Sequence, residues 1–146
     1  MDLRIVPPVF RDFGVPRAFC GPVQTVRALE DNSRVREAVA SPGEGRVLVI
    51  DGGGSMRRAL VGGNLAQAAA RNGWAGLVID GCVRDAAELR AAGIPIRALA
   101  LVPLRTAKRG YGEAGEPVQI QGVRVRPGDW LYADEDGMLV ADRPLV

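Results

Sequence analysis

The chain reads as an α/β protein with a β-rich C-terminal portion, and three observations carry that reading. Two similar apolar runs, Val47 to Asp51 (VLVID) and Gly76 to Asp80 (GLVID), are short, rich in β-branched residues and edged by glycine, which marks buried strands. Each is followed by a run of helix formers with a polar opening residue and a glycine stop. From Val118 onward the pattern changes to brief apolar alternations separated by turn residues.

Upstream, Gly21 to Leu29 (GPVQTVRAL) predicts a strand. Asp31-Asn32-Ser33, ahead of RVREAV, predicts a short capped helix ended by Ser41-Pro42-Gly43. The first VLVID strand stops at Gly52-Gly53-Gly54, which predicts a loop. Asn64, with Gln67 three residues on, then opens a helix that closes at Gly73. After the second strand, Asp85-Ala-Ala-Glu88 opens another helix, ending near Gly93 and Pro95. Pro95 to Leu101 predicts a further strand, leading into a glycine- and charge-rich loop through Gly115. Val118-Gln-Ile and Val123-Arg-Val flank Gln121-Gly122 as a hairpin. Pro127-Gly128 turns the chain into Trp130 to Ala133, and Asp134 to Gly137 turns it into Met138 to Ala141.

The order strand, helix, strand, helix has a geometric consequence. A helix of about eight residues runs roughly 12 Å away and a strand of about five returns roughly 16 Å. The chain is therefore expected to bring Asn64, Asp80 and Arg84-Asp85 near one another at the carboxyl edge of the strands, where open α/β sheets bind ligands. Two helix N-termini there suit a carboxylate or phosphate. A purely structural role stands beside this one: Asp85 with Glu88 is also a capping box, Asn64 with Gln67 its amide analogue, and the three glycines are ordinary tight-turn residues.

With 146 residues, 47% of them hydrophobic, the chain is long enough for one core, so residues 1–146 are expected to form one domain. No apolar run approaches a membrane span and no signal pattern opens the chain, which predicts a cytoplasmic protein without a membrane partner. A net charge of +2, with basic and acidic residues interspersed, does not argue for direct nucleic-acid binding, and Arg105, Lys108 and Arg109 read as a solvated loop. Cys20 and Cys82 have no metal-ligand spacing and are expected to be reduced, partly buried thiols.

The absence of histidine removes Ser-His-Asp and Cys-His schemes, histidine-ligated zinc and imidazole acid/base catalysis. Lys108, the sole lysine, lies among arginine, glycine and tyrosine, a poor setting for a Schiff base. A dinucleotide fingerprint starting at Gly52 meets Arg57 where its last glycine belongs, and no Walker lysine follows. What remains is oxygen chemistry on a hard cation. Asp85 could hold Mg²⁺ or Mn²⁺ through one carboxylate, water and substrate filling the octahedron, with Arg84 as a fixed cationic donor.

Three blocks, DGGGSMRRALVGGNLA, GLVIDGCVRDAAEL and GDWLYADEDGMLV, resemble the RraA-like family, which includes the 4-hydroxy-4-methyl-2-oxoglutarate aldolases; the likeness runs from about Phe10 to Leu145. The resemblance implies a three-layer β/β/α fold of the swivelling-domain type and a homotrimer, sometimes paired into a hexamer. Active members are divalent-metal pyruvate aldolases that also decarboxylate oxaloacetate, whereas the founding member binds ribonuclease E and inhibits RNA processing. The family pattern Gly-x20-Arg-Asp-x2-Glu is matched by Gly63, Arg84, Asp85 and Glu88. It implies that the turn Gly62, Gly63, Asn64 and Leu65 gives backbone N–H groups to a substrate carboxylate, that Arg84 binds the keto acid, and that Asp85 anchors the metal. The best-known bacterial aldolases carry an aspartate where this chain has Gly63, and Glu88, one helical turn beyond Asp85, is the candidate substitute in proton transfer.

The expected function is thus a Mg²⁺- or Mn²⁺-dependent carbon–carbon lyase acting on short 2-keto dicarboxylic acids and releasing pyruvate. The alternative is a trimeric regulator that binds ribonuclease E or another RNA-processing enzyme through its outer surface. Older labels linking such chains to menaquinone methylation find no nucleotide fingerprint in this sequence.

Overall fold

A computed structural model describes residues 2–146. In chain order the elements are β1 (Leu3–Ile5), β2 (Arg11–Asp12), β3 (Phe19–Arg27), α1 (Ser33–Ala40), β4 (Val47–Val61), α2 (Gly63–Arg71), β5 (Gly76–Val83), α3 (Ala86–Ala91), β6 (Ile96–Ala98), β7 (Ala100–Leu101), β8 (Glu113–Ala114), β9 (Val118–Ile120), β10 (Val123–Val125), β11 (Trp130–Asp134) and β12 (Gly137–Ala141). Strands β3, β4, β5 and β6 run parallel and side by side. The antiparallel strands β11, β12 and β1 extend the sheet beyond β3, and β2 closes it beyond β6.

Strand periodicity builds the layers. Leu48, Ile50, Leu77 and Ile79 point to one face, where they pack with Val35 and Val39 of α1, Ala66 and Ala69 of α2, and Leu89 of α3. The alternate residues Val47, Val49 and Val78 point to the other face and meet Val118, Ile120 and Val125 of the β9–β10 hairpin with Leu131 and Val140 of β11 and β12. The result is helices, central sheet and a second β layer: the β/β/α architecture that the resemblance implied. The hairpin turns through Gln121 (φ 47°) and Gly122 (φ 80°), the two positive-φ positions that a two-residue type I′ turn requires.

Several expectations need correction. Strand β3 begins two residues earlier than read from sequence, and β1, β2 and β8 carried no recognisable strand signal. The expected Pro95–Leu101 strand is two short ones, β6 and β7. Cys82 is fully buried and Cys20 exposed, so neither is partly buried; burial raises the Cys82 thiol above its ordinary pKa. The glycines after Asp51 do not end β4. The Asp51↔Asp80 pair is followed by Ser55↔Gly81, so residues 52–54 bulge out of the ladder, with Gly53 and Gly54 at φ 67° and 71°. The chain then continues in the same strand to Val61.

Helix α1 starts where expected, but the side chain of its N-cap residue Asn32 donates to the Leu60 carbonyl instead of capping. Asp31 does the local work. Buried at 2% exposure, it accepts from Ser33 N (2.9 Å) and from Arg109 N (2.6 Å), tying the 105–112 loop over the helix start. Burial pushes its carboxyl up, but the hydroxyl and backbone donors of Ser33, Arg109 and Tyr111 outweigh that and hold it below its ordinary 3.8. The folded state therefore binds this proton less tightly than the unfolded chain. The stabilisation is present above about pH 4 and fades as pH falls through the lower folded value. Asp31→Asn is expected to lower the urea-unfolding free energy by about 1–3 kcal/mol at pH 7, with the gap from wild type narrowing in acid.

Candidate active site

The site forms where β4 hands over to α2 and β5 to α3. Helix α2 begins at Gly63 with Gly62 as its N-cap, so Asn64 lies inside the first turn, exposed, and does not cap it. The first intrahelical bond runs from Ala66 N to the Gly62 carbonyl (3.1 Å). The N–H groups of Gly63, Asn64 and Leu65 precede it, and among the described residues those of Asn64 and Leu65 have no protein acceptor.

The end of β5 is pinned to the end of β4 by Arg84 N donating to the Val61 carbonyl (3.0 Å). Asp85 then takes a left-handed backbone (φ 66°, ψ 54°), uncommon for a side-chain-bearing residue and worth about 1 kcal/mol of strain. Its carboxylate does not cap its own helix: Oδ2 accepts from Gly63 N at 2.9 Å, across to the start of α2. The capping boxes expected at Asp85–Glu88 and Asn64–Gln67 are both absent: Asp85 reaches across to the first N–H of α2, and neither helix has a side-chain cap of its own.

The two glycines are empty space put to use. The N-cap Gly62 has φ −117°, a backbone open to any residue, yet a Cβ there would lie 2.7 Å from Asp85 Oδ2 and 3.2 Å from Arg84 Nε. A Cβ on Gly63 would collide with the Glu88 side chain, 2.8 Å from its Cβ and 2.9 Å from its Cδ. Glu88 therefore fills the volume that a side chain at position 63 would enter. Gly62, Gly63, Arg84, Asp85 and Glu88 lie together, with Asn64 and Leu65 offering backbone donors beside them. Among the described residues Arg84 and Glu88 have no ion-pair partner.

Asp80 is not part of this cluster. It alternates with Ile79 and so faces the second β layer, where its Oδ1 accepts from Gln121 Nε2 (2.7 Å) and its Oδ2 from Gln121 N (3.1 Å). It anchors the β9–β10 hairpin. The bond that most defines the site, Asp85 to Gly63, carried no signal beyond the glycine pair itself, since the local spacing offered Asp85 a nearer partner in its own helix.

Asp85 and Glu88 are exposed and Arg84 half-buried, so solvent reaches all three side chains. No group of three or more His, Cys, Asp or Glu side chains converges among the described residues. With at most the carboxylates of Asp85 and Glu88 to offer, the cluster fits an ion that keeps most of its waters, such as Mg²⁺, and not a closed tetrahedral zinc site. A separate apolar cleft of about 700 Å³, lined by Phe10, Phe19, Tyr132, Met138 and Arg97, lies away from all these residues. Among the described residues no helix is long and apolar enough to cross a membrane.

Comparison with known proteins converges on one group. The RraA-like family model, described as Aldolase/RraA, matches residues 4–140. A relative from Albidiferax ferrireducens, provisionally named 4-hydroxy-4-methyl-2-oxoglutarate aldolase, is 65% identical, the match covering 98% of this chain and 87% of the relative. One from Alkalilimnicola ehrlichii with the same provisional name is 56% identical over 99% of this chain and 90% of its own. Among solved structures, the RNA-processing inhibitor RraA from Thermus thermophilis superposes with a TM-score of 0.96 at 48% identity, covering 99% of this chain and 88% of that one. A Geobacillus kaustophilus protein titled as an S-adenosylmethionine:2-dimethylmenaquinone methyltransferase gives 0.92 at 43%, covering 98% and 89%. With a family model spanning nearly its whole length and relatives above half identity, this chain belongs to the RraA-like family.

Proposed function

We propose that the protein is a divalent-metal-dependent carbon–carbon lyase that releases pyruvate from short 2-keto dicarboxylic acids, by decarboxylating oxaloacetate, by aldol cleavage of 4-hydroxy-4-methyl-2-oxoglutarate, or both. The observation that carries it is the meeting of Arg84, Asp85 and Glu88 with the open α2 terminus. The provisional aldolase name shared by the relatives at 65% and 56% identity supports the same reading.

Each residue then has a task. The free N–H groups of Asn64 and Leu65 take the carboxylate next to the keto group, aided by the partial positive charge of the helix start. Arg84 lies beside them as a permanent cation with planar donors, suited to the keto oxygen as it gains charge. Asp85 is the residue to hold Mg²⁺ or Mn²⁺, through its carboxylate. The cation, when bound, contributes Lewis-acid polarisation of the keto group, worth several kcal/mol. In decarboxylation the C3–C4 bond breaks, carbon dioxide leaves, and the electron pair passes to the enolate oxygen facing Arg84. Glu88, or water at its carboxylate, returns a proton to C3 to give pyruvate.

The test is pyruvate release from oxaloacetate, corrected for spontaneous decay, with Mg²⁺ or Mn²⁺ and with EDTA. Metal-dependent release that disappears in Asp85→Ala is expected. Rates unchanged by either treatment would sink the proposal.

A second reading rests on the Thermus structure, titled as an RNA-processing inhibitor and matching at a TM-score of 0.96. In it the protein is a homotrimer or a hexamer whose outer surface binds ribonuclease E or a similar enzyme. Binding of that partner would persist in Asp85→Ala and in EDTA.

A further inference from the structure

One side chain in the site faces two demands. Three N–H groups precede the first intrahelical bond of α2; among the described residues only that of Gly63 is engaged, held by the Asp85 carboxylate at 2.9 Å. A guest carboxylate docking on this turn would meet a negative charge already seated there. Asp85 is also the acid placed to receive a cation. The surroundings leave it room to turn: it is exposed, and the missing Cβ of Gly62 clears the space around Oδ2.

Building on the metal-dependent reading above, we propose that Asp85 is a latch on the α2 terminus. In the metal-free protein it closes the Gly63 donor against carboxylates. When it turns to the cation, that N–H and its positive end of the helix become available to the acid. Cation binding therefore precedes and strengthens acid binding, and Asp85 opposes the acid when no cation is present. This is the reverse of what a residue serving only as a metal ligand would do in metal-free protein.

The test is pyruvate titration into ¹⁵N-labelled protein in EDTA, followed at the Gly63, Asn64 and Leu65 amides. Asp85→Gly, which suits the left-handed backbone, is expected to bind pyruvate about tenfold more tightly than wild type, the size of one charge-assisted hydrogen bond. Asp85→Asn keeps an acceptor over Gly63 N but drops the charge, so a smaller gain of about threefold is expected; it carries the test alone should Asp85→Gly unfold. Equal or weaker binding in the folded variants overturns the latch. A second arm adds cation without acid, with Mn²⁺ broadening at residues 84–88 reporting its arrival and Mg²⁺ shifting the Gly63 amide. Broadening with an unmoved Gly63 amide overturns the latch while leaving the metal site standing. No broadening overturns the metal reading, and the EDTA arm still decides whether Asp85 excludes the acid.

Discussion

Gly63→Asp alone is expected to damage the protein, and Gly63→Asp combined with Glu88→Gly to recover much of what is lost. The new Cβ would stand 2.8 Å from Glu88 Cβ, an atom too near the backbone to swing aside, so α2 and α3 must separate. Forced overpacking of this kind costs about 1–3 kcal/mol, and the shift displaces Arg84 and Asp85 together from the α2 terminus, so pyruvate release should fall about a hundredfold. Replacing Glu88 with glycine removes its Cβ along with its carboxylate, and with them the overlap, at about 1 kcal/mol of helix propensity, leaving the acid at position 63, now on α2, in place of Glu88. Thermal unfolding and pyruvate release measured on both single variants and the double variant check this. A double variant no more stable than Gly63→Asp would show that the two side chains do not share one space. Restored stability without activity would show that the acid works only from α3.

Arg84→Ala is expected to lower kcat for pyruvate release by 100- to 1,000-fold, about 3–4 kcal/mol of transition-state stabilisation, while leaving stability within about 0.5 kcal/mol of wild type. The two effects separate because the side chain of Arg84 has no ion-pair partner among the described residues, whereas its backbone N–H to Val61, which holds β5 to β4, survives the substitution. Arg84→Lys restores charge without the planar pair of donors, so it should recover only part of the rate. A KM rise with unchanged kcat in Arg84→Ala would instead assign Arg84 to binding alone.

The strands and helices were legible wherever one local signal decided them. VLVID and GLVID became neighbouring parallel strands, and Gln121-Gly122 became the turn expected of a tight hairpin. Signals that had to compete were read less well. Gly52-Gly53-Gly54 suggested a stop, but pairing of β4 with β5 resumes at Ser55, so tertiary pairing turned a loop signal into a bulge. The capping boxes failed for the same kind of reason: a cap is a local preference worth about 1 kcal/mol, and the close approach of α2 and α3 gave Asp85 a different donor. Edge strands as short as β2 and β8 have no period to read.

What this sequence determined by itself is its α/β pattern, its family and a set of candidate site residues, because periodicity, turn chemistry and the Gly63, Arg84, Asp85, Glu88 spacing are properties of the chain read in order. Only the tertiary structure decided which of those residues meet. It turned Asp80 away to the β9–β10 hairpin, joined Asp85 to Gly63, and seated Glu88 in the space that Gly63 leaves open. A side chain's partner is set by the packing of elements distant in sequence, and at ångström separations that packing outweighs any preference written into neighbouring residues.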